Sequence, residues 1–215
     1  MNNYGPKHFN QQFREDPDPF GYYSSEYEYI KYERTLSEIK RQRQPENVEK
    51  ILELGCANGA FIQRLRSRFE TAEITAVDFS NKALEIARDR VSEVTFRQSE
   101  MTNFVKQTAE NFDLIIASEC LYYLSDSNTV TDLIQFVDDL YECLRSCGSV
   151  ISANIYGHDE RDNVVMTETT VDVLRILFER RFDHIKVQSF TEPKGSGSDE
   201  RIHTYKIWSM LKTDE

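Results

Sequence analysis

The chain predicts an α/β fold, a parallel sheet with helices on both faces, and three observations carry the prediction. From Lys50 onward short apolar runs alternate with amphipathic stretches of helical spacing. The first run, Ile51-Leu52-Glu53-Leu54, breaks into the small-residue turn Gly55-Cys56-Ala57-Asn58-Gly59, which opens directly into a helix. The length, 215 residues with 39% hydrophobic and 29% charged, suits one well-packed domain.

Taken in order, residues 1–24 are polar, broken by Gly5, Pro6, Pro17, Pro19 and Gly21, and carry Phe9, Phe13, Phe20, Tyr22 and Tyr23. They read as a loop or loosely packed arm. Ser25 stands as an N-cap with Glu28 placed to complete a capping box. The helix behind it runs to about Arg43, burying some of Tyr29, Ile30, Leu36 and Ile39, and Pro45 stops it. Strands are expected at Lys50–Leu54, Glu73–Asp78, Val94–Arg97, Phe112–Ser118 and Ser149–Asn154, and helices at Gly59–Arg68, Asn81–Val91 and Ser127–Leu144, the last closed by Gly148. Thr170–Phe182 reads as a helix and His184–Thr191 as a strand. Glu192–Glu200 reads as a flexible connection and Arg201–Leu211 as a final strand, most simply antiparallel to its neighbour. The division is an N-terminal arm and helical cap over 1–47 and a main domain over 48–215.

The formal net charge of −11 repels phosphate backbones, which argues against a nucleic-acid partner. No apolar run approaches the roughly 20 residues that span a bilayer, and the start of the chain lacks a signal-peptide core. These readings lead to the expectation of a cytoplasmic protein without a membrane partner, as monomer or homodimer. Cys56, Cys120, Cys143 and Cys147 form no disulfide framework and no zinc set, so no metal is expected; Cys143 and Cys147 are placed to share a helix face.

The chemistry gathers at the strand ends. A strand, a tight small-residue loop and a helix N-terminus let backbone approach a nucleotide-like ligand. Glu53 sits in the first strand end and Asp78 closes the second. Two carboxylates beside such a loop suit a ligand with hydroxyls and positive charge, as S-adenosylmethionine has. A nicotinamide dinucleotide is disfavoured, because bulky Phe61 stands where a further glycine is wanted.

Three segments carry a closer likeness: Asp16-Pro17 through Tyr27-Glu28-Tyr29 to Arg34-Thr35-Leu36, then Glu53 through Phe61, then Phe112 through Leu124. On these the chain resembles the class I, Rossmann-like S-adenosylmethionine-dependent methyltransferases over about residues 48–211, and among them the NodS-like nodulation N-methyltransferases, which methylate the amine of a chitooligosaccharide. The resemblance implies a seven-stranded, mostly parallel sheet with one antiparallel strand near the C-terminus and an N-terminal helical cap. It implies that Gly55, Ala57 and Gly59 lie under the methionine part of the cofactor, although the family more commonly has glycine where Ala57 stands. Asp78 would take both ribose hydroxyls. Phe79 would pack on the adenine, with core packing as its alternative. Glu100, a departure from the family's usual aspartate, and the Met101 amide would meet the adenine edge, or Glu100 would be solvated. Glu53 would order the loop or reach the methionine amine, and Ser118 completes the cofactor set.

Methyl transfer to an amine needs the free base, aligned with the methyl and sulfur, and a group to orient it and receive its proton. Glu119, just past the fourth strand, is the first candidate. Tyr122 and Tyr123 follow as orienting hydroxyls or pocket walls, with plain packing as the alternative. His158, near Asp159, is a candidate base or an exposed loop histidine. His203 reads as structural. The stretch Asn163–Glu168 lacks the histidine and glycines that the nodulation enzymes carry there, which points to a different acceptor. The aromatic arm reads as a lid or a packing helix. The expected activity is methylation of a small molecule, most plausibly the amine of an amino sugar. Transfer to the oxygen of a hydroxylated natural product is the alternative, and a non-catalytic binding protein of the same fold is the third reading.

Overall fold

The computed structural model of the chain describes residues 5–126, 128–156, 168–182, 184–194 and 201–213. Seven strands form one sheet in the order β3-β2-β1-β4-β5-β7-β6. They are β1 (Lys50–Leu54), β2 (Glu73–Asp78), β3 (Thr95–Gln98), β4 (Phe112–Ser118), β5 (Leu144–Ile155), β6 (His184–Lys194) and β7 (Arg201–Leu211). β1 pairs in parallel with β2 and β4, β2 with β3, and β4 with β5; β7 runs antiparallel to both β5 and β6. The sheet order reverses between β1 and β4. In open α/β sheets ligands bind at that crevice, beyond the strands' carboxyl ends.

The helices are α1 (Pro6–Glu15), α2 (Glu26–Gln42), α3 (Ala60–Arg68), α4 (Asn81–Arg90), α5 (Met101–Gln107), α6 (Val130–Glu142) and α7 (Glu168–Glu179). Two cores form, one on each face of the sheet. Leu52, Leu54, Ile115 and Ala117 pack against α6 and α7 through Phe136, Leu140, Leu174 and Phe178. Ile51, Leu114 and Ile116 pack against α2 and α3 through Leu36, Ile39, Ile62 and Leu65. β1 and β4 are buried on both faces, which is why they read as near-continuous apolar runs.

Several expectations need correction. The arm is not a loop: α1 occupies Pro6–Glu15, started by a proline in its first turn and held by buried Phe9 and Phe13. No capping box forms at Ser25, whose side chain makes no cap hydrogen bond, because Glu28 turns inward to Lys31 instead. Tyr29 lies 49% exposed rather than buried. α5 was not expected; its seven residues are too few for a clear period. The long helix is shorter than Ser127–Leu144, and Thr129 with Asp132 forms the true capping box at its start. Leu144–Gly148 does not end that helix but begins β5, with Leu144 opposite Phe112 and a register shift before Leu114. Cys147 sits there with φ 56 and exposed, while Cys143 caps α6 and is buried, so the two share no helix face. β6 continues through Lys194, paired with Arg201, into the stretch expected to be a flexible connection.

Candidate active site

The loop after β1 fixes the floor of the site. The Gly55 and Cys56 N–H groups both donate to the Val77 carbonyl, at 2.8 and 3.1 Å, which ties the turn to the end of β2. Gly55 has φ +72, and a Cβ there would lie 2.7 Å from the Cys120 Cβ, so glycine is required twice over. Gly59, at φ +80, also packs tightly, a Cβ there lying 3.0 Å from the Ala87 Cβ of α4. Ala57 also takes positive φ, 48°, an uncommon conformation for alanine.

Asp78 closes β2 with its carboxylate turned into the loop. It accepts from the Ala57 N–H at 2.9 Å and the Ser80 N–H at 2.8 Å. Burial raises it to about 6, while those backbone donors pull the other way. A carboxylate has about four acceptor positions, so capacity for two hydroxyls remains. Ser80 is the N-cap of α4, accepting from the Ala83 N–H. Glu53, 3% exposed on β1, has an Oε2 with no hydrogen-bond partner. Burial, reinforced by the Asp78 charge, pushes its carboxyl up to about 8. A buried carboxylate without a counter-charge is costly, and a cationic ligand group supplies what is missing.

Two adjoining cavities open over this floor. The larger encloses about 840 Å³ of empty space, its mouth included, and is lined by Asp78, Phe79, Glu100, Met101, Tyr123 and the aromatic side chains of α1, among others. The smaller is lined by Lys31, Glu53, Asn58, Phe61, Ser118 and neighbours. Gly55, Ala57, Tyr22 and Glu119 line both, so Glu119 stands at their junction. Eleven of the thirteen expected site residues thus gather around the two cavities. Of the other two, Tyr122 touches Glu119, its hydroxyl donating to Oε2 at 3.2 Å, and His158 lies, with Asp159, outside the described residues.

 Ten of the eleven line a cavity directly, and Gly59 sits between Asn58 and Ala60, which line the smaller one.

Glu119 is itself unusual. It takes φ 55, a left-handed conformation in a residue other than glycine, and its N–H donates to the Ala153 carbonyl at 2.7 Å. Strained backbone of this kind collects at functional sites.

Sequence reasoning missed two groups. The first is the helix α1 within the arm, which was expected as a lid but not as helical: Phe9 meets Phe79 and Tyr123 edge-on, each with ring centroids 5.4 Å apart, and Asn10 accepts from the Ser80 hydroxyl and the Lys82 N–H. The second is the buried pair Glu28 and Lys31 on α2, 2.6 Å apart, with Lys31 Nζ 3.5 Å from Glu119 Oε1. A signal was present. Residues 28, 31, 32, 35, 36 and 39 fall on one helical stripe, and charges on an otherwise apolar stripe must be partnered.

A family signature described as "Nodulation protein S (NodS)" matches residues 7–167. The chain belongs to the NodS family of S-adenosylmethionine-dependent methyltransferases. A Nodulation protein S of Bradyrhizobium diazoefficiens is 34% identical over 112 residues, 51% of this chain and 50% of that protein. A malonyl-[acyl-carrier protein] O-methyltransferase of Bacillus cereus is 27% identical over 182 residues, 82% of this chain and 61% of that protein. The chain thus spans only about half to three fifths of these curated relatives. Among solved structures, the N-methyltransferase NodS of Bradyrhizobium japonicum WM9, in complex with S-adenosyl-L-homocysteine, superposes with TM-score 0.71 at 19% identity, covering 97% of this chain and 98% of that one. A Haemonchus contortus phosphoethanolamine N-methyltransferase 2 superposes with TM-score 0.64 at 13% identity, covering 94% and 60%. These likenesses show that the fold is that of the class I methyltransferases.

Proposed function

We propose that this chain transfers a methyl group from S-adenosylmethionine to the amine of a small molecule, an amino sugar or a related metabolite. The observation that carries the reading is the excess of carboxyl groups over cationic side chains around the two cavities. Glu28, Glu53, Asp78 and Glu119 are buried or nearly so, and Lys31 is the one lysine or arginine lining either cavity among the described residues. Lys31 is already held between two carboxylates. Such a site favours a cationic cofactor and an amine acceptor, which binds as the cation and reacts once it has given up a proton, and disfavours an acceptor that is itself a carboxylate.

The residues fit the cofactor. The orphaned Glu53 Oε2 suits the ammonium of its methionine part, Asp78 the ribose hydroxyls, and Phe79 with Met101 the faces and edge of the base. Glu100 is exposed at the cavity rim, where it meets the base edge only by reaching inward. The cofactor supplies a methyl group on a sulfonium, activated without help from the protein. Glu119 orients the acceptor nitrogen by accepting one of its N–H bonds, and Phe20, Tyr22 and Tyr123 offer flat faces for a sugar ring. α1 roofs the pocket and keeps water from the reacting centre.

Transfer to oxygen is the second reading, and the Bacillus cereus relative favours it. An oxygen acceptor calls for a base, and none of the described residues lining either cavity is a histidine. The test combines calorimetry with a panel of acceptors. S-adenosyl-L-homocysteine should release heat on binding, and glucosamine, chitobiose or ethanolamine should yield S-adenosylhomocysteine from S-adenosylmethionine while phenols and malonyl esters do not. No heat on folded protein overturns the cofactor assignment. Turnover of the oxygen acceptors alone overturns the amine assignment, and binding without turnover of any acceptor leaves the non-catalytic reading in its place.

A further inference from the structure

We propose that Lys31 is a positioning residue for methyl transfer: its buried ammonium bridges Glu28 and Glu119 and holds the Glu119 carboxylate turned toward the acceptor amine. The inference rests on the amine reading above and deepens it, because it makes α2, far from the cofactor loop in sequence, part of the acceptor site.

Four side chains of alternating charge run from β6 to the junction of the cavities. Lys194 Nζ lies 3.3 Å from Glu28 Oε1, Glu28 Oε2 lies 2.6 Å from Lys31 Nζ, and Lys31 Nζ lies 3.5 Å from Glu119 Oε1. Glu28 and Lys31 are 2% and 3% exposed. A buried ion pair is a poor stabiliser, since well-packed apolar residues of similar size commonly do as well. The wall here, Tyr27 and Tyr32, is aromatic enough to have taken such a replacement. What sets this pair apart is where the ammonium leads. It reaches the one carboxylate that lines both cavities and stands on strained backbone.

The geometry divides the labour on Glu119. Tyr122 donates to Oε2, and Oε1, buried, has no hydrogen-bond donor, its contact with Lys31 being a looser ionic one. A carboxylate has about four acceptor positions, so with Lys31 on one oxygen and Tyr122 on the other Glu119 keeps capacity to accept an amine N–H. The groups facing this point are Glu28, Tyr27 and Tyr32 from α2, Tyr22 from the segment before it, Glu53 from β1 and Tyr122 after β4. None is cationic, so Lys31 and the Tyr122 hydroxyl are what orient the Glu119 carboxylate. Burial alone would lower the Lys31 ammonium, but Glu119 and Glu28 more than offset it and hold it above its usual value.

The experiment is a double-mutant cycle on the full chain, using whichever amine of the panel turns over, with homocysteine-product binding measured alongside by calorimetry. Lys31→Met should lower kcat at least ~30-fold, with KM for the amine and S-adenosylhomocysteine affinity each changed less than ~3-fold. Lys31→Arg should recover part of the rate. In a Glu119→Gln background Lys31→Met should cost less than ~3-fold further, since the residue acts through Glu119. Should Lys31→Met misfold, Glu28→Gln with Lys31→Met removes the buried pair together and should show the same loss. Additive effects, no recovery with Lys31→Arg, or an affinity for S-adenosylhomocysteine that falls in step with the rate would overturn the inference, the last by making Lys31 a cofactor ligand. A wild-type chain that methylates no amine sinks the amine reading itself, and this inference with it.

Discussion

The two halves of the site are held in different ways. On the cofactor side, the polar groups are fixed by backbone: the Ala57 and Ser80 N–H groups orient Asp78, and the Val77 carbonyl ties down the loop. On the acceptor side, they are fixed by other side chains, Lys31 against Glu119 and Glu28, and Tyr122 against Glu119. Backbone donors fix a ligand group at no cost in rotamer entropy. Side-chain pairs spend rotamer entropy, and the pair that joins the two elements, Lys31 with Glu119, links residues far apart in the chain. The first arrangement suits a cofactor of constant shape, and the second can be altered one residue at a time to suit another acceptor.

The largest expected effect tests the first half. Asp78→Asn keeps the shape of the side chain but replaces one acceptor oxygen by a donor and removes the charge. Two charge-assisted bonds at ~1.5–3 kcal/mol each are weakened, so affinity for S-adenosylhomocysteine should fall ~100-fold or more. Calorimetry reads it directly. A change under tenfold would mean that the carboxylate serves only the Ala57 and Ser80 N–H groups and that the two halves differ less than their geometry implies.

Glu53 lies on the boundary and gives the next largest effect. Its folded pKa, about 8, stands above the value of 4.5 for a solvated glutamate. The native state therefore holds a proton that the unfolded chain releases, and stability of the ligand-free protein falls as pH rises between those values. The loss is on the order of 3 kcal/mol by pH 8. Asp78, raised to about 6, adds a smaller decline at lower pH. Glu53→Gln should flatten the fall in melting temperature above pH 5, and the variant should melt above wild type at pH 8. S-adenosylhomocysteine should stabilise wild type more than this variant, since its ammonium takes the place of the proton. Parallel melting curves for the two chains across this range would show that Glu53 already has a counter-charge.

The contrast also explains what the sequence disclosed. β1, β2 and β4 carry their own apolar runs, and the Gly55–Gly59 turn carries its own conformational demand, so the fold and the cofactor cradle were legible from short stretches. The β5 start was not, because Gly148 and the left-handed Cys147 mimic the end of a helix when they make a bend inside a strand. A Cβ at Gly148 would lie 2.7 Å from the Arg145 carbonyl oxygen, a demand that only the folded bend reveals. The roof was hidden for another reason. α1 is ten residues long and stands only by burying Phe9 and Phe13 against α4 and the cavity, a contact more than sixty residues away. Phe9→Ala should weaken S-adenosylhomocysteine binding about tenfold, the cost of an aromatic contact with Phe79 and Tyr123.

The smallest effect lies at the helix caps, and it turns on the same opposition between local and distant partners. Ser25 and Glu28 have the spacing of a capping box, yet the structure gives Glu28 to Lys31 and Lys194 and leaves the Ser25 hydroxyl without a cap bond. A box bond at an exposed helix start is worth about 1 kcal/mol, whereas a buried lysine without a carboxylate costs several, so the buried pairing prevails. Thr129 and Asp132 meet no such competitor and close a box on α6, the hydroxyl of Thr129 accepting from the Asp132 N–H and the Asp132 carboxylate from the Thr129 N–H. Thr129→Ala should therefore destabilise the chain by about 1 kcal/mol in urea melts, and Ser25→Ala by less than ~0.3 kcal/mol. Equal losses at the two positions would mean that Glu28 still serves the start of α2 in solution, and that the ion chain leading to Glu119 is made only part of the time.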